Sequence, residues 1–345
     1  MKQKYKIIGY ASDGSLKNIR QEDASKLTHL NIAFGHVVDA EITVAHMKEL
    51  DQLQEIKKMN PDIIILLSVG GWSAGGFSEG AATSEDRDKM ITTGLEVLKN
   101  YPFDGIDLDW EYPTIGVAGI EAMPEDKQNF TALLKGFRKG LDDLEIETGK
   151  YYFLTIAVGC DEYYTKGTEM SKIEPYLDYV QLMTYDMRGG YQVLTGHHTN
   201  LYTPIGDVFT ISVDKSVELF RKAGIPREKL IIGAAFYSRM WKGVPNVNNG
   251  YLQFAETAGG FGPEFTELDA EYINKNGFTR FWDDEAKAPY LFNGDTFITY
   301  EDEESIQNKC EYLMHNGLGG IMFWEYKCDY THKLLNTMDN ELKGK

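Results

Sequence analysis

The sequence predicts an α/β fold, a (β/α)8 TIM barrel carrying one small α+β insertion. Three observations support this. Eight short apolar runs alternate with longer helical patterns, which is how βα units read in sequence. The interval between the seventh and eighth runs is too long for one helix, and a structureless loop of that size is uncommon. No GxGxxG follows the first run, so an open doubly wound sheet lacks its fingerprint.

The runs, in chain order, are residues 5–10 (YKIIGY), 28–34 (THLNIAF), 63–69 (IIILLSV), 105–110 (GIDLDW), 152–158 (YFLTIAV), 179–185 (YVQLMTY), 229–236 (KLIIGAAF) and 319–324 (GGIMFW). Helices are expected at about 45–58, 84–99, 125–140, 213–223 and 303–315, with another after Tyr330. The overlong interval holds Gly/Asn-rich and aromatic stretches, including 247–251 and 281–284. Residues 241–300 are therefore assigned to the inserted subdomain, and 5–240 with 301–345 to the barrel. A barrel places function at the C-terminal ends of its strands.

Composition narrows the function classes. The chain has 345 residues, 42% of them hydrophobic and 26% charged, the balance of an ordinary globular protein. Its 35 basic and 53 acidic residues leave a net charge of -18. Such a surface repels nucleic acid and anionic membrane, and no basic run offsets it. A neutral ligand meets no such objection. Cys160, Cys310 and Cys328 form no CxxC pair and read as buried thiols, not as zinc ligands. No apolar segment is long enough to span a bilayer. Residues 1–6 are basic but lead into no apolar leader core.

The strongest local signal is Asp104-Gly105-Ile106-Asp107-Leu108-Asp109-Trp110-Glu111. On an extended strand Asp107, Asp109 and Glu111 share one face, with neighbours about 7 Å apart. Leu108 and Trp110 face the other way, and Asp104 is expected to fix the backbone where the strand begins. Three carboxylates on one barrel-facing strand repel one another unless a proton or a cation intervenes. A solvated acidic face and a divalent-metal site are the competing readings. Acid–base work at an acetal explains the pattern better, because a carboxyl beside charged neighbours keeps its proton. Glu111, last in the row and nearest the mouth, is the expected general acid, with its pKa raised by a charged Asp109. His197 and His198 are adjacent on a loop with no third ligand, so no metal is assigned to them.

Asp104-x-x-Asp107-x-Asp109-x-Glu111 resembles the DxxDxDxE signature of family 18 glycoside hydrolases, the chitinase-like barrels. Ser68-Val69-Gly70-Gly71 resembles that family's SxGG motif, and Met183-Thr184-Tyr185-Asp186 its motif on the sixth strand. Tyr237-Ser238-Arg239 and Trp324 fall where the family's seventh and eighth strands end, although a glycine often stands where Ser238 does. The resemblance runs from Tyr10 to Trp324 and takes in the insertion, which it implies forms a wall of the substrate cleft.

This resemblance implies a retaining chitinase acting on β-1,4 bonds between N-acetylglucosamine units. The substrate's own 2-acetamido carbonyl is the nucleophile, an exception to the two-carboxylate scheme. Glu111 would then be the acid. Asp109 would orient the acetamido N–H, and Asp107 would share a proton with Asp109. Tyr185 would donate to the acetamido oxygen. Trp324 would floor the sugar at subsite −1. Tyr10, Phe34, Trp72, Met183, Asp186, Tyr237 and Arg239 would line the substrate, with Arg239 alternatively pairing a carboxylate. Ser68, Gly70, Gly71 and Asp104 would support the site. No cofactor is required, and the implied partners are chitin or N-acetylglucosamine oligosaccharides, bound by a monomer. Rival readings within the family are an endo-β-N-acetylglucosaminidase, a cell-wall hexosaminidase and a non-catalytic chitin-binding lectin. The intact carboxylate row argues against the lectin. A polymer-degrading function favours an extracellular location, with the cytoplasm as the alternative.

Overall fold

A computed structural model describes residues 4–344. The first three residues of the basic N-terminal stretch, and Lys345 at the end of the expected barrel segment, lie outside the described residues. The eight apolar runs become eight parallel strands: Lys6–Ser12, His29–Val38, Ile64–Gly70, Gly105–Asp109, Phe153–Gly159, Tyr179–Met183, Leu230–Ala235 and Gly320–Trp324. Each pairs with the next, and the first pairs with both the second and the eighth, so the sheet closes. The barrel is of the (β/α)8 type.

Strand parity sorts the core into two layers. Ile8, Tyr10, Leu66, Ala157, Tyr179, Met183, Ile231 and Met322 fill the interior. Their chain neighbours, such as Ile7, Ile65, Leu67, Ile106 and Leu108, pack outward against the helices. Trp110 is also outward, stacked on Phe77 at 5.3 Å and edge-on to Phe130 at 5.5 Å.

Most helices lie where periodicity placed them, with two informative differences. The first begins only at Gln52, running Gln52–Met59. Upstream of it the Asp13 carboxylate accepts the backbone N–H groups of Lys48 and Glu49 at 2.8 and 2.9 Å. Those two long-range bonds give these amides a non-helical partner. The helix expected to stop at 140 runs Asp126–Thr148, because Leu141 and Leu144 continue its buried stripe. Gly140 is a close approach to Leu95, not an end; a β-carbon there would lie 2.8 Å from the Leu95 side chain. Helix Glu303–Asn316 starts at a reciprocal Asp302–Ser305 cap. A short strand, Glu41–Thr43, pairs antiparallel with the end of the second barrel strand and was not expected.

A second, five-stranded antiparallel sheet comprises Gly260–Glu264, Tyr237–Trp241, Phe297–Thr299, Ala288–Phe292 and Thr279–Asp283. Its own core is Trp241, Val244, Tyr290, Phe292 and Phe297. The seventh barrel strand ends at Ala235 and the chain turns at Phe236, so this sheet begins at Tyr237, upstream of the expected boundary at 241.

Candidate active site

Asp107 and Asp109 lie on the interior face of the fourth strand, with Glu111 just beyond its end; all three are buried. Asp107 is held by four donors from four other strands. Tyr10 Oη donates to Oδ2 at 2.9 Å and Ser68 Oγ at 2.8 Å. Thr155 Oγ1 donates to Oδ1 at 2.6 Å and Gln181 Nε2 at 2.8 Å. Burial raises the Asp107 pKa and these bonds oppose the rise.

Asp109 has no such cage. Its Oδ1 is buried without a hydrogen-bond partner among the described residues. Burial first, then the charges of Glu111 and Asp107, push its pKa well above the usual carboxylate range. Glu111 is pushed up to about 7, chiefly by burial, with a hydrogen bond to Tyr112 opposing and the charge of Asp186 assisting. The expected cause, a charged Asp109, is therefore corrected. Asp109 is itself the group driven to keep a proton.

The glycines of the third strand let its end pass against the fourth. Gly70 has φ +119°, and a β-carbon there would lie 2.1 Å from the Asp109 carbonyl oxygen. Gly71 has φ +88° and donates its N–H to that same oxygen at 2.9 Å. Its open α-carbon faces the Phe34 ring, which a β-carbon would meet at 2.6 Å. Phe34 stacks on Trp324, with ring centroids 5.3 Å apart. Trp72, with 52% exposure, stands edge-on to Tyr112. Between Phe34 and Trp72 lies an open recess of about 380 Å³.

The sixth strand supplies the facing wall. Met183 is buried in the barrel interior. Tyr185 has a weak hydroxyl contact to Met322 Sδ at 3.8 Å, and burial followed by the nearby carboxylates keeps its hydroxyl protonated. Asp186 receives Arg239 Nε and Nη2, each at 2.7 Å, and lies 3.5 Å from His198 Nδ1. Its crowded setting disfavours charge, but His198 and Arg239 outweigh that and hold the carboxyl well below the usual range. Arg239 also lies over the Phe261 ring at 3.8 Å. Tyr237 is buried, edge-on to Tyr185 at 6.2 Å.

The site residues expected from sequence mostly converge on one mouth. Tyr10 is a correction: it is only 2% exposed and its hydroxyl is spent on Asp107, so it lies beneath the site rather than against a ligand. Arg239 takes the carboxylate-pairing role. Asp104 lies at the opposite end of the strand, paired with Lys57 at 2.5 Å and Lys150 at 2.7 Å while accepting Ile65 N–H at 2.7 Å. The sequence pattern gives Thr155, Gln181 and His198 no place in the site. Thr155 and Gln181 left a trace, a polar residue at interior parity in an apolar run. His197 binds Asp283 at 3.0 Å, away from His198's partner.

A closed parallel barrel with a row of carboxyl groups rising to the mouth of one strand defines the class, a (β/α)8 barrel with its candidate site at the C-terminal strand ends. The sequence profile of Glycosyl hydrolases family 18 matches residues 6–329, and the chain belongs to that family. Chitinase A1 of Niallia circulans is 35% identical, over 98% of this chain and 58% of its own length, so the chain spans little more than half of that relative. Chitotriosidase-1 of Mus musculus is 33% identical, over 90% of this chain and 68% of that protein. Among solved structures, a family 18 N-acetylglucosaminidase from Paenibacillus barengoltzii is 58% identical with a TM-score of 0.97, covering 98% of this chain and all of that one. The Ostrinia furnacalis Group IV chitinase in complex with allosamidin superposes with a TM-score of 0.85 at 28% identity, covering 97% of this chain and 98% of that one.

Proposed function

We propose that this chain is a chitinase, hydrolysing β-1,4 linkages between N-acetylglucosamine units with retention, through an oxazolinium formed by the substrate's own acetamido group. The observation that carries this reading is the contrast within one strand. Asp107 is fully bonded, Asp109 has an unpartnered buried oxygen, and Glu111 titrates near 7. Carboxylates rising from a single strand make poor opposed nucleophile and acid, which a conventional retaining site needs about 5–5.5 Å apart across the sugar.

Glu111 gives its proton to the glycosidic oxygen as the C1–O bond breaks, and the acetamido carbonyl oxygen bonds to C1. Asp109 passes the proton it holds at rest to the adjacent Asp107, accepts the acetamido N–H, and as a carboxylate balances the positive charge of the ring that forms. Tyr185 donates to the acetamido oxygen. Water then attacks C1, losing a proton to Glu111, and the ring reopens. Two inversions leave the β-anomer. Trp324, backed by Phe34, floors the −1 sugar, and Trp72 receives the next unit. Tyr237, Arg239 and Phe261 bring the inserted sheet to the cleft as a wall.

A second reading, release of single N-acetylglucosamine residues, draws support from the full-length likeness to an N-acetylglucosaminidase. Product analysis on chitin oligomers, chitin and an N-glycan under one set of conditions separates the readings. Short oligomers from chitin support the first. Monosaccharide alone supports the second. Cleavage confined to the N-glycan makes the chain an endo-β-N-acetylglucosaminidase, and binding without cleavage makes it a lectin.

A further inference from the structure

Behind the sixth and seventh strands lies a charged cluster that the catalytic scheme does not use. Lys309, on helix Glu303–Asn316, is fully buried. Its ammonium donates to the Glu301 carboxylate, to Thr199 Oγ1 at 2.7 Å and to the Gly233 carbonyl at 3.3 Å. Glu301 is buried too, and its second oxygen receives Ser305 Oγ at 2.6 Å. Burying such a pair carries a large desolvation cost, and apolar replacements are often as stable. Stability is thus a weak reason for it to be there.

Its contacts lead to the active site. Thr199 Oγ1 lies 3.0 Å from the carbonyl oxygen of Thr184, the residue before Tyr185. Thr184 Oγ1 in turn clips the seventh strand, accepting Gly233 N–H at 2.7 Å and donating to the Gly233 carbonyl at 2.9 Å. Gly233 packs under the Tyr185 ring so closely that a β-carbon would lie 2.9 Å from Tyr185 Cε1. The loop that leaves after Asp186 returns to the same place, where Met187 N–H donates to the His198 carbonyl at 3.1 Å. The ammonium therefore holds the peptide before Tyr185, through Thr199, and the glycine beneath its ring.

We propose that the buried Lys309–Glu301 pair, acting through Thr199 and Gly233, is a positioning device that sets the Tyr185 hydroxyl against the acetamido group. The inference rests on the acetamido-assisted reading above. Because the Tyr185 hydroxyl holds the acetamido oxygen in line with C1, misplacing it costs the ring-closing step, where that alignment is required, more than it costs ground-state binding.

The test uses Thr199→Val, which removes one hydroxyl, and Lys309→Met/Glu301→Gln, which removes both charges together. Each is compared with the parent for kcat and KM on a chitin oligomer, for affinity toward a thiazoline mimic of the cyclic intermediate, and for product affinity and melting temperature. Both variants should lose about 10- to 100-fold in kcat and bind the thiazoline more weakly by a similar factor, with product affinity within about threefold of the parent. Combining them should cost little more than the double charge replacement alone, since they break one chain of contacts. A folded variant with parental kcat and thiazoline affinity overturns the inference, as does a loss seen only in melting temperature. If the parent itself fails to bind the thiazoline, the acetamido-assisted reading falls and the inference falls with it.

Discussion

The Tyr10 hydroxyl donates to Asp107 Oδ2 across 2.9 Å, tying the first barrel strand to the fourth through the barrel interior. With Ser68, Thr155 and Gln181 it fills the Asp107 oxygens with donors. Asp109, one step nearer the mouth, receives no comparable set. The proton that Asp107 and Asp109 share is therefore directed toward Asp109, and Asp107 is left as the fixed foot of the row.

Replacing Glu111 by Gln keeps the shape and removes the proton. Hydrolysis of an unactivated chitin oligomer should fall by about 10²–10⁴-fold, the range for lost acid catalysis. Oligomer affinity measured by calorimetry should stay near the parental value, since Trp324 and Trp72 are untouched. Near-parental turnover would remove Glu111 from the role of acid.

Glu111 works as an acid only while protonated, so kcat/KM should decline as pH rises through about 7. The Asp186 charge disfavours ionisation of Glu111. Asp186→Asn should therefore move the alkaline limb to lower pH. The displacement should be small, because 37% of the Asp186 side chain is exposed and solvent screens it. A limb that moves upward contradicts this arrangement of charges.

If the acetamido group is the nucleophile, glucose oligomers should remain uncleaved while N-acetylglucosamine oligomers release the β-anomer first. Asp109→Asn should reduce kcat far more than it weakens binding. Proton NMR of fresh product reads the anomer directly. An initial α-anomer means single displacement by water, and a sugar trapped covalently on Asp109 means a conventional retaining enzyme.

Gly70→Ala places a methyl group where the Asp109 carbonyl oxygen stands, at a φ of +119°. The backbone conformation alone should cost about 1–3 kcal/mol, and the clash adds to it. Gly14→Ala is the control, since a β-carbon there meets nothing within 4 Å, and it should change stability by less than about 0.5 kcal/mol. Urea denaturation of both variants checks the pair. Equal midpoints would mean that the two strands do not approach this closely in solution.

What the sequence determined by itself is what depends on near neighbours along the chain. Apolar runs separated by helical periodicity are enough to specify eight strands and their order. Alternation on residues 105–111 is enough to put Asp107, Asp109 and Glu111 on one side and Leu108 and Trp110 on the other. Asp104 falls at the strand's start for the same reason. The tertiary structure decided which groups meet. Asp107 takes its donors from residues 97, 39, 48 and 74 positions away, and that meeting depends on the register of every strand pair around a closed barrel. Tyr10 was therefore expected against the ligand and is instead consumed beneath it. His198 reaches Asp186 only because the loop leaving the sixth strand returns to its own base, and Lys309 reaches Thr199 across a helix–barrel interface. Strand parity is a property of one strand, with a period of two residues. A hydrogen-bond partner or a raised pKa belongs to the space that several strands enclose, and no single stretch of chain encodes it.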